Sequence, residues 1–193
     1  NVFVIRNVAS QYATVMQIFK GVIPVEYGGR LSSVFDIQTK DGSTDGLTGE
    51  GSVGPVTANL ALEIPVRKVK SSLVIGGRVA YSDWILRALD DEDLSNSTAS
   101  FYDVIATYTD RINENNRLKA TGYYSKDRFS ITSDSTFRYS NRAASVEWNH
   151  TFNEKNNASF SLANSRYAFD IGYDADSNTD FNLRYSAEET ELK

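Results

Sequence analysis

The sequence predicts an all-β chain that forms a transmembrane antiparallel β-barrel. Three observations support this prediction. Apolar and polar residues alternate with a period of two along most of the chain, windows with helical periodicity are rare, and short polar turns alternate with longer links. No stretch approaches the roughly 18 consecutive apolar residues that a membrane-spanning helix requires. Strands of a membrane barrel need an apolar residue only at every second position, so the pattern fits a barrel.

The alternation defines the predicted strands. Between positions 144 and 152 the even-numbered residues are mostly apolar and the odd-numbered ones are polar. In the last predicted strand, Asn164 and Arg166 interrupt the apolar face. Such a pattern is typical of a sheet with one apolar and one polar face. The strands are expected at 57–65, 72–82, 101–111, 117–127, 144–152 and 158–170.

The connections between these strands differ in length. Short polar turns are predicted at 66–70, 113–116 and 153–157, and longer links at 86–100, 128–140 and 172–180. Outer-membrane barrels show this alternation, with short turns on the periplasmic side and long loops outside. Aromatic residues cluster near the predicted strand ends, as the aromatic girdles of such barrels do.

The composition excludes several classes of protein. The 193-residue chain has a net charge of -5 and contains no cysteine. Disulfides and thiolate metal sites are therefore impossible. The acidic balance also argues against binding to nucleic acid, which needs a basic face to neutralise phosphates, so we expect no nucleic-acid partner.

The sequence offers little for catalysis. His150 is the only histidine and lies on a predicted apolar face, where we expect an aromatic ring at the membrane interface. The acidic run at 90–93 could bind a divalent cation, but we favour a solvated loop. We therefore predict no catalytic residue, no metal site and no cofactor, and we expect that the protein is not an enzyme.

The segment KGVIPVEYGGRLSSVFDIQTKDGS, at residues 20–43, resembles the end of the plug domain of TonB-dependent outer-membrane receptors, especially those of the Bacteroidetes type. Residues 47–54, LTGEGSVG, occupy the place of the glycine-rich first barrel strand in that family. Val22 and Val25 depart from the family pattern, which usually has glycine and alanine there. Three later stretches resemble barrel segments of the same group: LALEIPVRKVKSSLVIGGRVAYSDWIL, NRLKATGYYSKDRF and NRAASVEWNHTFNEK.

The resemblance implies a domain organisation. Residues 1–45 would be the C-terminal part of the plug domain, and residues 46–193 the N-terminal strands of the barrel. About eight strands of a larger, 22-stranded barrel would be present, because eight strands cannot enclose a plug. We therefore expect the sequence to be a fragment of a protein of the bacterial cell outer membrane.

The resemblance also implies a function, namely the active import of a scarce solute such as a siderophore, a glycan or a peptide. The expected partners are outer-membrane lipids, the substrate, a surface lipoprotein, and the TonB complex of the inner membrane, which would be contacted through an upstream segment. Two alternatives stay open. One is a barrel that acts as a structural or interaction partner in a secretion or lipoprotein assembly, and the other is a soluble β-rich, adhesin-like domain.

Two groups of site residues follow. By resemblance, the plug motif has a structural role, in which Arg30 would pair with carboxylates of the barrel wall and Glu26 with a wall arginine. The second group comes from the alternation, because charges that face lipid are costly and should point into the lumen instead. The plug motif comprises Lys20, Gly21, Pro24, Glu26, Tyr27, Gly28, Gly29, Arg30, Ser32 and Ser33. The predicted lumen-facing residues are Arg78, Asp103, Arg111, Lys119, Asp127, Glu147 and Asn149.

Overall fold

The computed structural model describes residues 13–19, 34–88, 90–91, 95–130, 135–173 and 182–193. These ranges contain ten strands and one short helix. Across them, no helix is both long and apolar enough to cross a membrane. The elements are β1 (Ala13–Phe19), β2 (Val34–Thr39), β3 (Thr48–Val53), β4 (Thr57–Arg67), β5 (Ser71–Tyr81), α1 (Asp83–Leu86), β6 (Thr98–Asn113), β7 (Asn116–Ser130), β8 (Ser135–Asn153), β9 (Asn156–Tyr173) and β10 (Asn182–Leu192).

The strands form two antiparallel sheets. β1 and β2 pair with each other, and β3 to β10 form an eight-stranded sheet in which each strand lies next to its neighbours in the chain. The predicted all-β, antiparallel architecture is therefore confirmed. β3 and β10 lie at the two edges of the larger sheet and have a neighbouring strand on one side only, within the ranges given above.

The register assigns each residue of the larger sheet to one of two faces, because residues directly opposite each other in neighbouring strands point to the same side. Arg78 of β5 lies opposite Asp103 of β6, and Asp103 lies opposite Ser125 of β7. We call this side the polar face. The other side, which we call the apolar face, carries Val104 opposite Tyr124, and Val146 opposite Leu162 among its members.

Burial on these faces is the reverse of that in a soluble sheet. The fully buried side chains are small and polar, among them Thr107 and Ser72, while the buried hydrophobic residues of the described chain are Ala61, Val74 and Ala80. Large hydrophobic residues of the apolar face are exposed instead. The exposed fraction is 43% for Val104, 40% for Trp148 and 50% for Leu162. An exposed apolar surface of this extent is typical of a face that contacts a partner protein or a membrane.

The short turns lie where they were predicted. β6 and β7 are joined at Asn113–Asn116, and β8 and β9 at Asn153–Asn156. In both turns the side chain of the first asparagine accepts a hydrogen bond from the backbone nitrogen two residues further on. The distance is 3.0 Å from Asn115 N to Asn113 Oδ1, and 3.0 Å from Lys155 N to Asn153 Oδ1. Asparagine favours this local bond, and it fixes the tight reversal of the chain.

The predicted long link at 128–140 is wrong in extent. β7 continues to Ser130 and β8 begins at Ser135, with Arg128 opposite Arg138. The alternation reverses here, because Arg128 and Arg138 lie on the apolar side whereas Phe129, Phe137 and Tyr139 lie on the polar side. The pattern of the central strands therefore ends although the strands go on. Ion pairs join neighbouring strands in this region. Asp170 Oδ1 lies 3.2 Å from Arg138 Nη1, and Asp170 Oδ2 lies 3.0 Å from Arg184 Nε.

Candidate functional site on the polar face

A buried ion pair lies near the middle of the polar face. Arg78 donates to Asp103 Oδ2 from Nη2 at 2.8 Å and from Nε at 3.1 Å. The side chain of Asp103 is 3% exposed and that of Arg78 is 11% exposed. The guanidinium carbon of Arg78 also lies 4.7 Å from the ring centre of Phe101, which adds a cation–π contact. Removal of either charge would leave the other one buried and uncompensated.

The segment that follows β2, residues 39–46, lies against the same face, and we call it the junction segment. Its first contact is with Glu63 of β4, which accepts hydrogen bonds from two of its residues. Lys40 Nζ lies 2.5 Å from Glu63 Oε1, and the backbone nitrogen of Ser43 lies 2.8 Å from Glu63 Oε2. Glu63 therefore holds both a side chain and the backbone of the junction segment.

The second contact is made by Asp41. Its carboxylate forms an ion pair with Arg117 and a second one with Lys119, whose Nζ is 3.4 Å from Asp41 Oδ1. Thr109 Oγ1 donates to the same oxygen at 3.4 Å, and the Ser72 hydroxyl donates to the Asp41 backbone carbonyl. Three neighbouring strands of the larger sheet, β5, β6 and β7, thus bind one residue of the junction segment.

Gly42 makes the close approach possible. Its φ is +75°, in the left-handed region that favours glycine. A Cβ atom at this position would lie 2.7 Å from Val74 Cγ2 and 3.2 Å from Ser72 Oγ. Val74 belongs with Ala61 to a small apolar cluster against which Ile105 packs. The glycine therefore lets the backbone of the junction segment lie directly on the larger sheet.

We expect Asp41→Asn to loosen the junction segment, because neutral asparagine keeps the shape but loses the attraction to Arg117 and Lys119. The pair is partly exposed, so the expected loss is about 1 kcal/mol, and it should shrink as salt is added. Hydrogen exchange of the backbone amides at 40–46 measures the effect, which should appear as faster exchange in the variant.

Asp45→Asn provides the matched control. It removes the same charge from an exposed position four residues away, where no described ion pair involves the side chain. Exchange at 40–46 should then stay at the wild-type rate. Equal acceleration in both variants would show that general charge, rather than the contacts of Asp41, holds the segment.

The structure places the seven predicted lumen-facing residues on the polar face. Arg78 and Asp103 pair with each other, and Lys119 lies opposite Glu147, which accepts a hydrogen bond from Asn149. The remaining two are spread apart: Asp127 lies opposite Phe101, and Arg111 lies opposite Arg117 near the short-turn end. They do not converge on one centre, and their role as lumen lining stays a prediction.

The ten residues of the predicted plug motif lie outside the described residues, as do two positions of the acidic run at 90–93. The proposed ion pairs of Arg30 and Glu26 therefore also stay predictions. Nowhere in the described ranges do three or more histidine, cysteine or acidic side chains come together as a group that could hold a metal ion.

Sequence reasoning missed the residues that hold the junction segment, namely Lys40, Asp41 and Glu63. One signal was available, since Asp41-Gly42 is a dipeptide that favours a turn. Glu63 falls on the polar side of the predicted strand at 57–65, but nothing in the pattern indicates which residues it contacts.

No protein-family model, curated protein or solved structure matches the chain.

Proposed function

We propose that the chain forms part of the wall of an outer-membrane β-barrel, in a TonB-dependent transporter that imports a scarce solute. The observation that carries this proposal is the reversed burial of the eight-stranded sheet. Its polar face holds most of the buried residues, and the large hydrophobic residues of its apolar face are exposed. Lipid hydrocarbon covers such an apolar face in a membrane barrel, while the polar face lines the interior.

The dimensions of the apolar face support a membrane setting. On β8 the apolar part of this face runs from Phe152, beside a short turn, to Ala144, and charged residues begin at Arg142. Eight residue steps cover about 26 Å of strand, and a tilt of about 40° reduces this to a height of about 20 Å, close to the roughly 25 Å of the apolar band in outer-membrane barrels.

Aromatic side chains mark the short-turn end of this band. The rings of Trp148 and Phe160 stack with centres 5.7 Å apart, and His150 meets Phe152 edge-on at 4.4 Å. Asn116 Oδ1 accepts a hydrogen bond from Trp148 Nε1 at 3.1 Å and lies 2.8 Å from His150 Nδ1. Rings with a satisfied polar tip suit the boundary between lipid and water.

The junction segment supports the assignment to a plugged barrel. A chain that passes from an interior domain into the wall must first run along the polar face, as residues 39–46 do. The resemblance of residues 20–43 to the end of a plug domain agrees with this path. The edge strands β3 and β10 agree with a sector of a larger barrel, in which each of them pairs with a further strand.

Val146→Arg tests the membrane setting. Val146 lies in the middle of the apolar face and is exposed, so a soluble domain would tolerate arginine there. In a membrane barrel the buried charge should cost about 2–4 kcal/mol. We expect the full-length variant to give much less folded protein in the outer-membrane fraction, measured as the band that migrates faster on gels when the sample is not boiled.

Thr151→Arg is the control, because Thr151 is exposed at the short turn, outside the apolar band. Its yield of folded protein should match the wild type. A soluble wild-type protein that needs no detergent, or a Val146→Arg variant with normal yield, would favour the adhesin-like alternative. The scaffold alternative would be favoured if the full-length protein failed to bind the periplasmic domain of TonB.

A further inference from the structure

The apolar side of the sheet carries an excess of positive charge at the end opposite the short turns, although the chain as a whole is acidic. On β7 to β10, beyond the apolar band, six cationic and two acidic side chains lie on this side. We call them the basic rows. Their cations are Lys126, Arg128, Arg138, Arg142, Arg166 and Arg184, and their acids are Asp170 and Glu188.

Two pairs of arginines in the basic rows lie directly opposite each other across neighbouring strands. Arg128 faces Arg138, and Arg142 faces Arg166. Like charges in directly opposite positions destabilise a sheet, so an uncompensated arrangement of this kind is unfavourable. One acidic side chain lies beside each pair. Asp170 forms ion pairs with Arg138 and with Arg184, and Glu188 lies opposite Arg166 and 3.9 Å from Arg142. One carboxylate cannot neutralise two guanidinium groups, so each pair keeps an excess of positive charge.

The polar face of the same sheet shows how such a pair is relieved. There Arg111 lies opposite Arg117, and the carboxylate of Asp41 is bound to Arg117. An anion supplied from outside the sheet thus compensates one pair of opposed arginines. By the same physics, an external anion would compensate the positive charge that Asp170 and Glu188 leave on the apolar side.

The position of the basic rows indicates what kind of anion this is. Arg142 follows Ala144 of the apolar band directly on the same face of β8, and on β9 only Asn164 separates Arg166 from Leu162. A ligand at this border meets guanidinium groups on one side and hydrocarbon on the other. Guanidinium groups bind phosphate through paired hydrogen bonds.

We propose that the basic rows bind the phosphate-bearing headgroup of an outer-leaflet lipid, whose acyl chains lie along the apolar face. This inference rests on the proposed function, because it requires the apolar face to be in a membrane with its short turns on the periplasmic side. It adds a lipid-binding surface with Arg142 and Arg166 at its centre. Arg128 and Arg138 form a second contact further from the hydrocarbon.

The test compares Arg142→Gln/Arg166→Gln with the wild-type full-length protein in detergent micelles. The probe is fluorescent monophosphorylated lipid A. Each cation near an anionic headgroup contributes about 1 kcal/mol, so we expect the affinity to fall about ten-fold or more. Lys68→Gln/Lys155→Gln is the control, because it removes the same charge from the short-turn end and should keep wild-type affinity.

Thermal unfolding without and with the probe separates binding from folding. Without lipid, the double variant should unfold at the wild-type temperature or above, because it has lost a repulsive pair. With lipid, the wild type should gain stability and the variant should gain little. Lipid binding unchanged in the double variant would overturn the proposal.

Two further measurements identify the ligand and show whether a negative result contradicts this inference alone or the proposed function as well. Millimolar inorganic phosphate should not displace the probe, and displacement would overturn the assignment to a lipid in favour of a free anion. A full-length protein that folds in the outer membrane but binds no lipid at these arginines would disprove this inference alone. A protein that stays soluble without detergent would disprove the proposed function and this inference together.

Discussion

Arg78→Met is expected to lower the free energy of unfolding by about 3–5 kcal/mol, the range observed when one partner of a buried ion pair is removed. Methionine fills a similar volume but leaves the Asp103 carboxylate buried without its partner. The cost arises from the desolvation of that charge. It should appear as a lower midpoint in denaturant-induced unfolding of the full-length protein in detergent.

Two comparisons make this prediction specific. Arg78→Met/Asp103→Asn should recover a large part of the loss, because no unpaired charge remains buried. Arg138→Gln, at an ion pair whose arginine side chain is 46% exposed, should cost at most about 1 kcal/mol. If the double variant were no more stable than Arg78→Met, an uncompensated Asp103 charge would not be the cause.

Gly42→Val is expected to release the junction segment from the wall. A β-branched residue at a φ of +75° is strained, and its Cβ would overlap the Val74 side chain. Strain and overpacking together should cost about 2–4 kcal/mol. Because the segment can leave the wall without unfolding the sheet, the clearest readout is proteolysis at 40–46 of the folded protein, which should become faster.

Gly46→Ala serves as the matched control for this substitution. A Cβ at Gly46 would meet no atom within 4 Å, and its φ lies outside the left-handed region. The variant should therefore be cleaved at the wild-type rate. Wild-type proteolysis in Gly42→Val would mean that the backbone at this position adjusts without losing its contacts with the wall.

Period-two alternation predicted the central strands β4 to β9 because each has one apolar face and one polar face there. The same rule missed the outer parts of β7 and β8 and all of β10. In β10 the side that continues the apolar face carries mostly polar residues, and Asn164 of β9 donates a hydrogen bond to Thr190 Oγ1 at 2.9 Å. Hydrogen bonds and ion pairs between opposite strands stabilise these parts, and such pairs leave no periodic signal in a single strand.

The contacts of the junction segment were beyond prediction for a different reason. Thr109 and Asp41 are 68 positions apart in the chain, and Lys119 and Thr39 are 80 apart. A local pattern reveals which residues are polar but not which distant partners they meet. The turn-forming Asp41-Gly42 dipeptide was visible in the sequence, whereas its position on Glu63, Ser72 and Arg117 depends on the register of four strands.

The order of the strands in the large sheet has a consequence for its assembly. From β3 to β10, every strand pairs with the one that precedes or follows it in the chain, and the hairpins at Asn113–Asn116 and Asn153–Asn156 close over two residues. Short closures carry a small entropic cost and favour fast pairing. The sheet can therefore assemble sequentially, one hairpin at a time. Each new strand can pair with the preceding strand, which already forms the edge of the sheet.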